Sequence, residues 1–342
     1  MAERNELINR TLDRYDQREF IPQETREVAI EKTLHDISVE LSLDYLFSTQ
    51  GTQIFELVID GQMLSKLVYP HRGGLAIVKG EIGYLSKFFI GGKFATSNFR
   101  RRLCTDEDWS FYDPDWIDEY VDYQITKQMC KSKVGFFDVN LYYRLLDLNE
   151  EEVKKMCLSA KEDTIFDFLL INSLSLDIFG GYQQQKGSYR MIDPMTEALR
   201  YDEEKWYYDV SLPDDIGLDS FYKVKYAGPR IGLRAKGALG KLTTTINFAY
   251  AWLKASARGW WNIREYAFWQ SGHGYGLDFE VETTYPITPS FSFGMGYHFF
   301  IRNVEKLKMS GELPGFNYYD EDICRHVDST IYGPSVIFKY IW

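Results

Sequence analysis

The 342-residue sequence lacks any apolar run close to the ~18 residues that a transmembrane helix needs, and its mean hydropathy is −0.33. A helical membrane protein is therefore excluded. A β-barrel membrane protein stays open, because barrel strands alternate lipid-facing and lumen-facing residues. The first residues, MAERNELINRTLDRY, also lack an apolar h-region, so no signal peptide is predicted. We expect either a cytosolic chain or a mature sequence with a new Met.

The chain also lacks an excess of positive charge. Its formal net charge is −11 and its pI is about 5.1, which argues against a general nucleic-acid binder. Cysteine is scarce, and Cys104, Cys130, Cys157 and Cys324 form no CxxC or zinc spacing, so no metal site is predicted. Cys104 and Cys324 lie in polar segments and would be able to pair if both are extracellular. Four unpaired thiols are the alternative.

Aromatic residues are abundant, with 25 Tyr, 23 Phe and 8 Trp, and many of them recur at every second position. In HDISVELSLDYLF (35–47), the apolar residues share one face and the acidic and hydroxyl residues share the other. The segments GLDFEVETTYPI (276–287) and SFSFGMGYHFFI (290–301) repeat this alternation, as does the final YGPSVIFKYIW (332–342). The period predicts β-strands, which fit either a soluble sandwich or a membrane barrel.

Strand length and loop length favour the barrel. The alternating runs cover nine to twelve residues, close to the ~9–11 that cross a bilayer at a tilt. Short connections at 235–243 and 285–290 alternate with long ones at 183–225, 254–275 and 302–330. Short periplasmic turns and long external loops are typical of outer-membrane proteins. We therefore predict an all-β fold, a ten-stranded antiparallel transmembrane β-barrel with long extracellular loops.

Two segments stand apart from the alternation. Residues 1–34 are polar and charge-rich and are predicted to form an N-terminal tail, which leaves 35–342 for the barrel. Within the barrel, LNEEEVKKMCLSAKED (148–163) places apolar residues at helical spacing where a short turn is expected. We predict one helical insertion there, on the periplasmic side.

The richest candidate for chemistry is the acidic stretch CTDEDWSFYDPDWIDEYVD (104–122). Asp106 and Asp108 are two residues apart and point the same way in an extended segment. Paired carboxylates repel as anions, so one tends to hold a proton, which suits general acid–base work on a water. The same cluster also suits a divalent cation such as calcium, or is simply a solvated acidic loop.

Several short motifs, taken in order, resemble the omptins, the outer-membrane proteases of Gram-negative bacteria. They are DEDW (106–109), WIDE (116–119), GGYQQQK (180–186) and KYAGPRIGL (225–233), and the resemblance covers roughly residues 35–342. It implies a bacterial outer-membrane endopeptidase that cleaves cationic peptides next to basic residues. Asp106 and Asp108 would form one acidic pair that activates a water, and Asp118 would be a further acid of the same groove.

The fourth loop departs from the family pattern. The family carries an Asp-x-His pair there, whereas KASARGWWNIREYAFWQSG (254–272) contains neither Asp nor His. Glu265 and His273 are the available substitutes for the missing base. Two hypotheses follow: an omptin-type endopeptidase with an altered partner, or a barrel without this chemistry that serves as an adhesin, a structural protein or a complex subunit. In the second case, the aromatic residues of 254–272 would suit a glycan, a lipid or a surface protein.

The resemblance also implies contact with lipopolysaccharide, which omptins need for activity. Tyr182, Gln184 and Lys186 match three lipid-contacting positions of the family, and Lys225 matches a basic position on the neighbouring strand. Lysine supplies point charges where the family has bidentate arginines. Two ordinary interfacial lysines are the alternative. No other cofactor and no nucleic-acid partner are predicted.

Overall fold

A computed structural model shows an antiparallel sheet that closes on itself. Strand formation follows from the two-residue alternation of the sequence, which gives each strand one apolar and one polar face. The described residues are 37–59, 62–99, 101–111, 121–159, 171–192, 197–202, 205–208, 219–261, 266–313 and 316–342. The predicted tail, 1–34, lies outside them.

The strands are β1 (Ile37–Ile59), β2 (Gln62–Tyr84), β3 (Phe88–Phe99), β4 (Arg102–Phe111), β5 (Val121–Leu148), β6 (Ile171–Ile192), β7 (Glu197–Asp202), β8 (Lys205–Tyr208), β9 (Asp219–Leu239), β10 (Leu242–Trp261), β11 (Tyr266–Pro286), β12 (Phe291–Leu313) and β13 (Phe316–Ile341). The helix is α1 (Glu150–Ser159).

The ring closes because β1 pairs with both β2 and β13, with Leu43 opposite Phe338. β3 and β4 follow one another between β2 and β5, and β7 and β8 form a hairpin appended to the upper end of β5. Since β3 and β4 share one position and β7 and β8 lie outside the ring, the ring consists of ten strand positions. This confirms the predicted ten-stranded antiparallel barrel.

The connections at one end of the barrel are short, as predicted. β2 turns into β3 at 85–87, β9 into β10 at 240–241, and β11 into β12 at 287–290. α1 lies at this end, and Asn149 caps it: Glu152 N donates to Asn149 Oδ1 at 3.1 Å, while Asn149 N donates to Glu152 Oε2 at 2.9 Å. The predicted helical insertion is thus present. No helix in the described part of the chain is long and apolar enough to span a membrane.

Large apolar side chains cover the outside of the lower barrel. Leu43 is 51% exposed and Met295 is 68% exposed, because nothing in the described part of the chain covers them. The last strand shares this property, since Pro334, Phe338 and Trp342 are exposed while Ile337 and Lys339 are buried. Such a band faces lipid in a membrane barrel. Other members are Ile37, Leu41, Tyr45, Phe47, Val78, Ile82, Ile90, Phe94, Phe137, Val139, Leu141, Tyr182, Ile231, Leu233, Ile246, Phe248, Trp252, Phe279, Phe293 and Tyr297.

Ion pairs fill the inside of the same lower barrel. Lys79 Nζ lies 2.8 Å from Asp44 Oδ2 and 3.0 Å from Glu280 Oε2. His298 is fully buried in the lumen, with Nδ1 3.3 Å from Glu280 Oε2. These charges are buried in pairs because an unpaired ion is costly away from water. Further pairs join Lys93, Arg230, Arg234 and Arg302 to Glu81, Asp138, Asp177 and Asp278.

Above the apolar band, the polarity of the wall reverses. In β9, Ile231 and Leu233 are exposed and Arg230 is buried, whereas higher up Tyr222 is buried and Lys223 is exposed. The surrounding medium changes from lipid to water, so the apolar residues move to the inner face. The wall therefore continues as strand, up to 28 residues long in β5, rather than the nine to twelve expected from the alternating runs.

The connections at 183–225, 254–275 and 302–330 are consequently shorter than predicted. β6 continues to Ile192 and β9 begins at Asp219. β10 and β11 leave only 262–265 between them, and β12 and β13 leave only 314–315. The aromatic segment 254–272 is thus mostly a hairpin of the barrel wall, not a loop.

Candidate functional site

The acidic pair predicted from the sequence lies on β4, at the upper end of the barrel. Asp106 is half-buried and is opposite Leu67 of β2, whose side chain points into the barrel. Ser65 Oγ donates to Asp106 Oδ1 at 3.4 Å. Asp108 is opposite Ser65 in the same register, although its side chain lies outside the described part. Asp118 lies outside the described residues altogether.

The wall that would carry the second half of a protease site is formed by β10 and β11. Its inner face presents Ala255, Ala257, Phe268 and Gln270, all buried. His273 is exposed on the outer face, so this histidine does not replace the missing base. Glu265 lies outside the described residues.

Aromatic rings fill the interior between these two walls. Tyr69 on β2 stacks on Tyr189 of β6 at 4.7 Å between centroids and on Tyr222 of β9 at 6.2 Å. Tyr222 contacts Phe268 of β11 at 6.2 Å, and Phe268 contacts Phe55 of β1 at 6.0 Å. All five rings are buried. We name Phe55, Tyr69, Tyr189, Tyr222 and Phe268 the aromatic core.

Hydrogen bonds fix the polar ends of this core. Tyr222 Oη donates to Gln270 Oε1 at 3.0 Å, and His71 Nε2 lies 2.8 Å from Tyr189 Oη. His71 Nδ1 faces Thr330 O at 3.2 Å, so both ring nitrogens are engaged. Burial lowers the pKa of His71 to about 4, which keeps the ring neutral. His71 was overlooked in the sequence because nothing in its local pattern shows that it is buried.

A basic surface lies on the outer face of β5, β6, β9 and β10, just above the apolar band. Lys186 is opposite Lys225 in the β6–β9 ladder, and both are exposed. Tyr182 and Gln184 continue the same outward row below Lys186, and Tyr182 is 48% exposed. The four predicted lipopolysaccharide-contacting residues are thus brought together on one outward surface.

Three further cations extend this surface. Lys133, Lys223 and Arg258 are exposed beside Lys186 and Lys225 around a groove of about 660 Å³. The Arg258 guanidinium lies 5.6 Å from the ring of Trp269, at the far side of the groove. We name these five cations the basic groove. A signal for two of these cations was present in the sequence, because Lys223 and Lys225 are spaced by two and therefore share one face of a strand.

The closed ring, the apolar exterior and the charged lumen define a ten-stranded transmembrane β-barrel of the outer-membrane type. Among solved structures, the outer membrane protease OmpT from Escherichia coli is similar to this chain with a TM-score of 0.63. The two are 17% identical, over 90% of this chain and 96% of that one. The chain therefore has an omptin-like fold.

Weaker similarities join the chain to channels. A TodX mutant described as a monoaromatic hydrocarbon channel is 10% identical with a TM-score of 0.24, over 89% of this chain and 90% of that one. An outer membrane channel from Pseudomonas putida F1 is 8% identical with a TM-score of 0.23, over 90% of this chain and 96% of that one. No family model matches the chain, and no curated protein matches it.

Proposed function

We propose that this protein is a bacterial outer-membrane barrel that has kept the omptin fold, does not cleave peptides and is held in the outer leaflet by lipopolysaccharide. The single observation that carries the proposal is the aromatic core. It fills the described interior of the upper barrel between the strand that carries Asp106 and the β10–β11 wall, and an omptin-type protease would need an open groove between two acidic pairs. The surface role that remains is that of an adhesin, a structural protein or a complex subunit.

The chemistry of the walls supports the loss of peptidase activity. Asp106 has a protein neighbour in Ser65, but the inner face of β10 and β11, as far as the structure describes it, offers Ala257, Phe268 and Gln270 rather than a carboxylate and an imidazole. Without an imidazole, a bound water loses a base that contributes roughly 10²–10⁴ in rate. His71 does not substitute, because Thr330 and Tyr189 engage both of its nitrogens.

The basic groove supports lipopolysaccharide as the partner. Its five cations lie directly above an apolar band, which matches an amphiphile with phosphates above acyl chains. Trp269 and Arg258 belong to the segment 254–272, and an aromatic ring with a cation suits the sugars between the phosphates. We therefore assign this segment to the glycan of the same lipid rather than to a cationic peptide.

Peptide hydrolysis tests the proposal. The protein is refolded with lipopolysaccharide and incubated with a fluorogenic peptide that contains Arg-Arg or Lys-Lys, beside an active omptin prepared in the same way. We expect hydrolysis by the active enzyme only. Hydrolysis by this protein that disappears in the variant Asp106→Ala with Asp108→Ala would overturn the proposal.

Lipid binding is tested separately with vesicles that contain or lack lipopolysaccharide. We expect the variant Lys186→Glu with Lys225→Glu to lose binding to the first vesicles. The matched control is Lys87→Glu with Lys241→Glu, which makes the same charge change at the opposite end of the barrel. Equal binding by the two variants would contradict a site at the basic groove.

A further inference from the structure

Two cysteines meet inside the upper barrel, next to the acidic stretch. Cys104 of β4 is opposite Gln128 of β5, and Arg102 is opposite Cys130, so the two cysteines are diagonal neighbours across one antiparallel pair. Both point inward, and they are 2% and 1% exposed. Both are free thiols, so the pairing of Cys104 with Cys324 considered above is not formed.

The two thiols are close enough to influence each other, since the Cys130 side chain is the strongest influence on the pKa of Cys104. Cys104 Sγ donates to Gln128 O at 3.3 Å, and Cys130 Sγ lies 3.8 Å from Ser132 Oγ. Diagonal neighbours are about 7–8 Å apart, slightly beyond the ~7 Å between Cα atoms that a disulfide spans without backbone movement. Because both side chains point inward from adjacent strands, a backbone shift of about 1 Å that brings β4 closer to β5 suffices to join them.

The interaction between the two thiols makes them unequal. It lowers the pKa of Cys130 and raises the pKa of Cys104. A thiolate is the attacking species in disulfide exchange. Cys130 is therefore the first nucleophile and Cys104 is the resolving thiol.

We propose that Cys104 and Cys130 form a dithiol–disulfide site that locks β4 to β5. The Cys130 thiolate attacks a sulfur of a small-molecule disulfide, which forms a mixed disulfide and releases one thiol. Cys104 then attacks the Cys130 sulfur and releases the second thiol. Two protein thiols are oxidised, one external disulfide is reduced, and the two thiol protons end on the released molecules.

The site explains how β4 is held in the wall. β4 is 10 residues long and contacts β2 only over the four positions from Ser65 to Val68. A covalent link to β5 fixes the strand that carries Asp106, whatever the function of the acidic stretch. The proposal rests on the strand register and on the burial of both free thiols on the inner face, not on the absence of peptidase activity.

The test is refolding of the full chain in detergent, once with oxidised glutathione and once with dithiothreitol. Thiols are counted by alkylation, and linked peptides are identified by mass spectrometry. We expect two of the four thiols to disappear under oxidising conditions, with Cys104 and Cys130 in one linked peptide. Glutathione added after folding acts more slowly, since both thiols are buried. The oxidised form should have the higher urea midpoint.

Variants make the result decisive. Cys104→Ser is expected to abolish the link while keeping the heat-modifiable gel migration of a folded barrel, which separates a missing link from a failure to fold. Cys157→Ser and Cys324→Ser should leave the link intact. Four alkylatable thiols in a barrel refolded with oxidised glutathione would overturn the proposal, and so would a link that involves Cys157 or Cys324.

Discussion

Replacing Asp177 by Asn should destabilise the barrel strongly, because this carboxylate is shared by two arginines. Asp177 has no exposed area, and its Oδ1 accepts Arg144 Nε at 2.9 Å while its Oδ2 accepts Arg234 Nε at 2.7 Å. Asn keeps the shape but removes the charge and turns a donor toward one guanidinium. Breaking a buried ion pair by removing one partner costs about 3–5 kcal/mol.

The matched control is Asp147→Asn, which removes the other carboxylate of Arg144. Asp147 is 56% exposed and lies 3.4 Å from Arg144 Nη1, so its loss should cost about 0–1 kcal/mol. Both variants are unfolded with urea from detergent micelles and monitored by tryptophan fluorescence, with the slope m checked for constancy. Equal midpoints for the two variants would refute the view that buried ion pairs hold the lumen together.

Three further predictions use the same unfolding assay. Leu43→Arg places a charge in the lipid-facing band and should lower the free energy of unfolding by about 2–4 kcal/mol. The control Thr52→Arg, at an outward position above the band, should be nearly neutral. Similar losses of stability for the two variants would contradict the assigned membrane level. Burial lowers the pKa of His71 to about 4 in the folded barrel, against 6.5 in the unfolded chain. Between pH 6.5 and pH 4 the unfolded chain therefore binds a proton that the folded barrel does not, which should remove about 3 kcal/mol of stability. His71→Gln should abolish this pH dependence. The Asp328 carboxylate raises the pKa of His326, so this histidine stabilises the barrel below pH 6.5 and loses that contribution as the pH rises above it. His326→Gln should flatten this opposite slope, and an unchanged profile would exclude the ion pair.

The membrane part of the fold was predictable because lipid imposes one simple pattern. In β1, every second residue from Leu41 to Phe47 is apolar and outward, and Ser42 and Asp44 between them are buried. The short turns and the helix were equally visible. The strand extensions were not, because the alternation changes phase where the wall leaves the lipid. In β9, for example, the apolar residues are at even positions 222–226 and at odd positions 231–233.

The candidate site was only half predictable for a related reason. The resemblance singled out Asp106 as well as Lys186 and Lys225, but it did not show that Asp106 lies on a strand of the barrel wall. The aromatic core joins residues from five strands that are distant in sequence, so no local sequence motif predicts it. The contact between Cys104 and Cys130 depends on the β4–β5 register, which strand periodicity alone does not determine.

Thiol labelling at two adjacent positions tests the closed upper barrel most directly. Ala257→Cys and Ser256→Cys are made separately in a background in which the native cysteines are serine, and each is treated with a membrane-impermeant maleimide. Ala257 is buried toward the aromatic core, and Ser256 is exposed on the outer face. We expect rapid labelling at 256 and protection at 257 until the barrel is unfolded. Equally rapid labelling at 257 would mean an open groove and would contradict a closed upper barrel.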